Sequence, residues 1–476
     1  MTTPAKPPSV AVLGAGLGGT LIAIYLARRG FDVRVFERRP DLRKGTVEQG
    51  RSINMTIAER GLKALEPVGL RDAVMRITMP LKGRLVHGED GRARFQRYGR
   101  TSSQVHHSIK RSELNSLLID AAEAQPTVQV FFHKRYLKGA KDGGMLLMQD
   151  ERTGETEYVH ADVVVGADGA HSVVRRDMQR GEPADYTQEY LIEGYKELTI
   201  PAGSNGFQLD PEALHVWPRG ETMLIAIPNL DGSFTCTCTM PLKGPSSFAS
   251  LAFFEQARSF FEQHLADVLA IAPGIVDEFV SKPPARYLTT TTAPWYFEDR
   301  VVLLGDACHS VLPFYGQGMN AAFEDCRVLD ECIGRHADRL DVAFSEYQAS
   351  RKRHTDALAK LSKDNYIELK DRIRSPMFLA RRRIDLVLDR CWPGVFATLY
   401  ALVTHTTIPY ADALARCERR QRWLKWTGLE AFLTLAALPM AIGTLSGNWL
   451  ASWRPRFGAQ PADQEAPPER ATPATE

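Results

Sequence analysis

Ser9-Val10-Ala11-Val12-Leu13-Gly14-Ala15-Gly16-Leu17-Gly18-Gly19 is the stretch whose reading decides the fold. Five small or apolar residues predict a buried strand, too short for a helix. Four glycines follow, three of them at Gly-x-Gly-x-x-Gly spacing, and Leu17 to Arg29 then carries helical spacing. Gly14 permits the turn, Gly16 lets the backbone approach a pyrophosphate, and Gly19 lets helix and strand touch. Asp32–Glu37 reads as a second strand. Its last residue stands about where a ribose-binding acid belongs, roughly 20 residues on. An acid there favours an unphosphorylated ribose. Strand, helix, second strand and acid in that order predict a dinucleotide-binding unit.

A second stretch narrows the ligand. Val301-Val302-Leu303-Leu304 reads as a buried strand that Gly305 ends, and Asp306 then presents a carboxylate at its carboxyl end, where α/β folds hold ligands. Pro313-Phe314-Tyr315-Gly316-Gln317-Gly318-Met319-Asn320 leads into a helix starting near Asn320. Backbone N–H groups at such a start favour a negative or partly negative ligand. A hydroxyl-rich chain at Asp306 and an electron-rich ring at the helix start together describe a flavin. Val163-Val164-Val165-Gly166-Ala167-Asp168-Gly169 repeats the pattern, with Asp168 at a strand end as Asp306 is. Three strands of one sheet ending in glycine plus a polar residue suit a single elongated cofactor.

Composition sets the limits. The 476 residues exceed one ordinary core, and 44% hydrophobic with 24% charged residues are globular values. A net charge of +2 without a long Lys/Arg run gives no support to nucleic-acid binding. Seven scattered cysteines, an odd number, fit a reducing compartment, and Cys236 and Cys238 lack the second pair that a zinc site needs. Residues 1–8 and 455–476 are read as disordered.

Between these landmarks the pattern varies. A helix is expected over about 57–68 and another over 108–124, with Arg111 in the first turn of the latter, where a bound phosphate would offset the dipole. From Tyr186 to Thr292 the period changes to two, as in antiparallel strands with one wet face. Phe248–Ala272 reads as helical, as do Leu340–Arg353, Asp356–Ile373 and the region of Ile384–Arg390. Ala431 to Trp453 holds no charged side chain, is preceded by Arg419, Arg420, Arg422 and Lys425, and is bracketed by Trp423, Trp426, Trp449 and Trp453. That matches the roughly 20 residues needed to reach across a bilayer. Pro439, Gly443, Gly447 and Asn448 interrupt it, so a buried pair of short helices is the alternative.

The fingerprint, the Gly-Ala-Asp-Gly turn and the Gly-Asp-Ala-x-His strand together resemble the flavoprotein aromatic hydroxylases of the para-hydroxybenzoate hydroxylase fold. The stretches Gly50-Arg51-Ser52-Ile53-Asn54, Gly194-Tyr195-Lys196-Glu197-Leu198, His215-Val216-Trp217-Pro218 and Asn365-Tyr366-Ile367-Glu368 point more narrowly to the kynurenine-hydroxylating branch. The resemblance implies an α/β chain: a Rossmann-like FAD-binding domain (9–76, 100–185 and 293–335) with an inserted antiparallel-sheet substrate domain (77–99 and 186–292). A C-terminal helical region (336–428) and a membrane-associated segment (429–454), on the cytoplasmic face, complete it. FAD would be tightly held without a covalent bond, and Gly14, Gly16 and Gly19 of the fingerprint belong to its site. By resemblance, further FAD contacts fall on Leu17, Phe36, Glu37, Arg38, Thr56, Arg111, Leu137, Asp306, Gln317, Gly318, Met319 and Asn320. Substrate contacts fall on Arg84, Tyr98, Asn365 and Tyr410. NADPH would act as a transient co-substrate, since one fingerprint serves one dinucleotide, and O2 as the other. Oxygen added to the reduced flavin gives a hydroperoxide that the aromatic ring of L-kynurenine attacks. No catalytic side chain and no metal are assigned; His309 is read as structural. A hydroxylase of another aromatic amino acid or of an anthranilate-like acid is the alternative. Tyr315 and Cys238-Thr239 depart from the family pattern and bear on the shape of the pocket.

Overall fold

The computed structural model describes residues 8–44, 54–99, 104–141, 144–368 and 376–428. The Gly50–Ile53 part of one motif, the N-terminal residues 1–7 and the segments 429–454 and 455–476 lie outside the described residues.

The strand Ser9–Leu13 is central to a six-stranded sheet. On one side it pairs in parallel with Val163–Gly166, which pairs in turn with Val301–Leu303. On the other side stand Asp32–Phe36 and then Val128–Phe131, also parallel. Register sets Leu13 beside Gly166 and Gly166 beside Leu303, so the three glycine-ended strands finish side by side. Both faces of this sheet are covered, which is why its strands read as unbroken apolar runs. The helices Leu17–Arg28 and Gly318–Arg335 pack into the same core.

A seven-stranded sheet runs in the order 285–293, 185–200, 234–241, 222–228, 213–219, 83–87 and 93–97. It is antiparallel except where Ala213–Arg219 runs parallel to Gly83–His87. Its alternating residues bury Leu198, Trp217, Cys236 and Cys238 against the helices Phe254–His264, Ala266–Ile271 and Ile275–Ser281. A small sheet of Asn54–Ile57, His106–Lys110 and Met79–Leu81 lies in its own register.

Several expected boundaries move. His106–Lys110 is a strand and the helix begins at Arg111, so Ser108 and Ile109 pair with Thr56 and Met55 rather than forming a helical turn. The helix expected over about 57–68 is confined to Glu59–Leu65. The helix Leu340–Ile367 runs unbroken through His354 and Thr355, where two separate helices were expected; both residues are buried, and Thr355 Oγ1 donates to Lys352 O. Phe248–Ala272 divides into the helices Phe254–His264 and Ala266–Ile271.

A chain of buried charges joins these layers. Arg60 donates from Nη1 to both oxygens of Glu324, at 3.0 and 2.9 Å. Glu324 also takes Arg351 at 2.5 Å, and Arg351 Nε reaches Asp325 at 2.7 Å. Asp325 holds His309 Nε2 at 2.5 Å. Burial alone would push the His309 imidazole down, but the adjacent Asp325 carboxylate outweighs it and holds the ring well above its ordinary value. Each charge is paired, which is what makes burial tolerable; removing one partner strands the others. Asp325→Asn is therefore expected to cost about 3–5 kcal/mol in denaturant unfolding. A loss under about 1 kcal/mol would show that the chain of ions is not holding the layers together.

Candidate active site

One elongated cavity lies across the ends of the three glycine-ended strands and continues under the seven-stranded sheet. The fingerprint end is built by exclusion of side chains. A Cβ at Gly19 would lie 1.9 Å from Gly14 O, and Gly14 itself has φ +109 with Ala167 O 2.5 Å from its missing Cβ. Only glycines allow this helix to approach this strand. Gly16 differs: a Cβ there would meet no protein atom within 4 Å, yet Gly16 lines the cavity. A side chain at Gly16 would take up room that a pyrophosphate needs.

Gly16, Leu17, Gly19, Thr56, Arg111, Asp306, Gly318 and Met319 all line this cavity. Arg111 is the first residue of its helix. Asp306 is exposed to the cavity but surrounded by protein, so burial pushes its carboxyl up while the Arg111 and His309 cations pull it down. Glu37 follows the second strand, Asp32–Phe36; its Oε2 accepts from Ala15 N at 3.0 Å and its Oε1 from Arg39 N. The carboxylate thus sits against the fingerprint loop. Phe36 is buried and stacks on Phe131 at 5.2 Å, and Arg38 beside Glu37 is exposed.

Other expected contacts fall elsewhere. Leu137 is half-buried on the strand Lys134–Lys138 of a separate three-stranded sheet, away from the cavity wall. Asn320 spends its side chain on the backbone: Oδ1 accepts from Ala58 N, and Nδ2 donates to Thr56 O and Gly316 O. That bracket fixes Gly316, which has φ +65. Asp168 caps a helix, accepting from Ser172 Oγ, Val173 N and Val174 N. Gln317 is fully buried, with Nε2 lacking a partner among the described residues.

At the far end the lining brings together Arg84, Tyr98, His106, Asn365 and Tyr400. Arg84 is 5% exposed, its guanidinium 5.9 Å from the ring centroids of both Tyr98 and Tyr400, and its Nε has no hydrogen-bond partner among the described residues. Tyr98 lies against His106 at 4.4 Å, and Tyr400 Oη is 3.3 Å from His106 Nε2. Burial pushes His106 down to about 3, with the His405 and Arg84 charges adding to the shift, so this imidazole is neutral at ordinary pH. Asn365 donates to Phe314 O at 2.7 Å and so anchors the turn Pro313–Tyr315. Leu214, Val216, Ile225 and Ile227 form an apolar wall between the two ends.

Tyr410 does not reach this cavity. It is 0% exposed, and its hydroxyl donates to Gln317 Oε1. The tyrosine beside Arg84 is Tyr400, which the sequence reading passed over. Its signal is modest: Thr398 caps the short helix Leu399–Thr404 by accepting from Ala401 N. Cys238 turns away from the cavity into the core, whereas Thr237 lines the cavity and Thr239 bonds Tyr287, another lining residue. Among the described residues no cluster of His, Cys, Asp or Glu could hold a metal ion.

A dinucleotide fingerprint, three strand ends and a helix start on one cavity define a flavoprotein with a second, covering sheet. The FAD binding domain family matches residues 8–223 and 255–362, and the chain belongs to that family. It is 48% identical over 429 residues to the kynurenine 3-monooxygenase of Salinispora arenicola, covering 90% of this chain and 94% of that one. It is 43% identical to the kynurenine 3-monooxygenase of Myxococcus xanthus, covering 85% and 88%. Among solved structures it resembles 2-methyl-3-hydroxypyridine-5-carboxylic acid oxygenase, with a TM-score of 0.62 at 21% identity over 78% of this chain and 95% of that one. PqsL of P. aeruginosa in complex with 2-aminobenzoylacetate gives 0.59 at 23%, covering 77% and 98%. FAD is the cofactor of this flavin-dependent monooxygenase, and the open space at Gly16 fits it. Gly16→Val is expected to fold with an unchanged flavin-free melting temperature yet purify without yellow colour. Retained flavin would mean the pyrophosphate lies elsewhere.

Proposed function

We propose that the enzyme hydroxylates L-kynurenine to 3-hydroxykynurenine, consuming NADPH, a proton and O2 and releasing NADP+ and water. The observation that carries this reading is the 48% identity to a kynurenine 3-monooxygenase across 94% of its length, joined to a polar cavity end built around Arg84. Bound FAD supplies the redox chemistry, accepting hydride from NADPH and activating oxygen for transfer of one atom to the ring.

The chain's own residues bind, orient and exclude water. Arg84 offers a guanidinium fork to the substrate carboxylate, with donors already desolvated by burial. The phenols of Tyr98 and Tyr400 flank it, and neutral His106 holds the Tyr400 hydroxyl without adding a second cation. Asn365 acts through Phe314, whose ring packs against Tyr287 and Tyr366 and closes the cavity above the turn. Water kept out of this region cannot divert the oxidant. The start of the helix Gly318–Arg335 would favour negative charge on a flavin ring held there. The arylamine activates its own ring, so no general base is required. His309 is unsuited to that task, being buried and committed to Asp325, whose carboxylate holds its ring well above the ordinary value.

NADPH oxidation should rise on adding L-kynurenine, with the hydroxylated product identified by mass. Arg84→Ala should raise KM for kynurenine at least tenfold, about the value of one lost charged hydrogen bond, with FAD retained. An unchanged KM would remove Arg84 from the site. Stimulation by anthranilate-like acids instead of kynurenine would favour a related hydroxylase.

We further propose membrane attachment through residues 429–454. No helix among the described residues is long and apolar enough to cross a membrane. The helix Tyr410–Trp426 nevertheless ends in exposed Trp423 and Trp426, 49% and 85% exposed, and in sequence only Thr427 to Glu430 separate it from the uncharged stretch. Deleting the chain after Gly428 should move the enzyme from the membrane fraction to the supernatant. Full-length protein found only in the supernatant would refute the attachment.

A further inference from the structure

The amino-acid end of L-kynurenine carries two opposite charges, and Arg84 answers only the carboxylate. The α-ammonium group needs an acceptor of its own, because a desolvated cation without one is costly. Asp306 is the one carboxylate among the described residues that line the cavity, and it stands at the opposite end, just past the strand Val301–Leu303. At the Arg84 end the acceptor has to be a neutral group.

His106 has the chemistry for it. It lines the cavity, is 4% exposed, and starts the strand His106–Lys110, where pairing with Leu81 fixes its backbone. Its ring lies 4.4 Å from that of Tyr98, and its Nε2 is 3.3 Å from Tyr400 Oη, so it touches both phenols that flank Arg84. Burial pushes the imidazole down to about 3, which leaves it neutral, with one nitrogen a donor and the other an acceptor. Among the described residues its ring makes a hydrogen bond at Nε2 alone. Nδ1 has no partner there and, unlike Nε2 of the neighbouring His405, is not sealed off from the space beside it. With Nε2–H donating to Tyr400 Oη, the Nδ1 lone pair is left as the acceptor. The competing acceptor is Asn365 Oδ1, an amide oxygen and so a far weaker base, on a side chain already tethered to Phe314 O.

We propose that His106 is a specificity-determining residue: its Nδ1 accepts a hydrogen bond from the α-ammonium group of the substrate while Arg84 takes the carboxylate. This rests on kynurenine occupying the cavity, and it makes the α-amine as well as the carboxylate part of what the enzyme selects. A protonated ring would repel the ammonium group, so the burial that keeps His106 neutral belongs to the recognition. One hydrogen bond with a charged partner is worth about tenfold or more in binding.

The test compares L-kynurenine with its desamino analogue, which has hydrogen in place of the α-amine. Each is titrated into FAD-loaded enzyme without NADPH and read from the visible flavin spectrum, after a single cooperative melting transition is verified for each variant. The parent enzyme should bind L-kynurenine at least tenfold more tightly than the analogue. His106→Leu should reduce that preference about tenfold, through weaker binding of L-kynurenine. His106→Asn, whose Oδ1 lies near the place of Nδ1, should restore most of it. A histidine that serves packing alone would weaken both ligands alike in both variants, and that result would overturn the proposal. A His106→Leu enzyme that keeps the preference would overturn it too, and would pass the ammonium group to Asn365. If His106→Leu fails to melt cooperatively, His106→Phe takes its place with the same expectation. A parent that binds both ligands equally overturns the proposal whatever the variants do. A parent whose spectrum responds to neither ligand would overturn the kynurenine reading instead, which keeps the two failures apart.

Discussion

The contact between the first strand and the first helix is the constraint on which the molecule turns. Gly19 has no room for even a methyl group against Gly14 O, and Gly14 must take a positive φ beside Ala167. That approach brings the start of the helix Leu17–Arg28 to the carboxyl end of Ser9–Leu13. The parallel pairings then set Gly166 and Leu303 level with it. Every other flavin-facing element is placed relative to this corner. A bulkier residue would not only remove a contact; it would separate the helix start from the strand ends that face the same cavity.

The second organising feature is electrostatic. Arg60, Glu324, Arg351, Asp325 and His309 form a continuous buried chain linking four elements. Such pairs contribute little net stability relative to an apolar packing, but they penalise any arrangement that separates them. Their effect is to fix the helix Gly318–Arg335 against the helix Leu340–Ile367 and the turn after Val301–Leu303. The apolar cluster containing Leu358, Leu361, Val403, Ala413 and Cys417 then seats the C-terminal helices on the same support. Tyr400 and Tyr410 come from neighbouring helices of that layer and play different parts because only one of them faces the cavity.

Much of this was legible in the sequence wherever local pattern and tertiary role coincide. The fingerprint glycines, the apolar strands and the period-two region each declare themselves through spacing. Asp306 and Asp168 look equivalent in sequence, and only the presence of Ser172 and two free N–H groups at a helix start turns the second into a cap. Ser108-Ile109 followed the helical period of its neighbours but was captured by pairing with Asn54–Ile57. The facing of Cys238 depends on register across three strands, which no local pattern records. The two tyrosines ten residues apart could not be told apart without knowing how Leu399–Thr404 and Tyr410–Trp426 fold back on the active site.

The account stands on flavin and aromatic amino acid sharing one cavity, with Arg84 at one end and the fingerprint at the other. Anaerobic titration of the FAD-loaded enzyme with L-kynurenine, with no NADPH present, tests this most directly. A saturable change in the visible flavin spectrum, complete at one equivalent per chain, is the predicted result. Kynurenine binding detected by calorimetry while the flavin spectrum stays unaltered would contradict it.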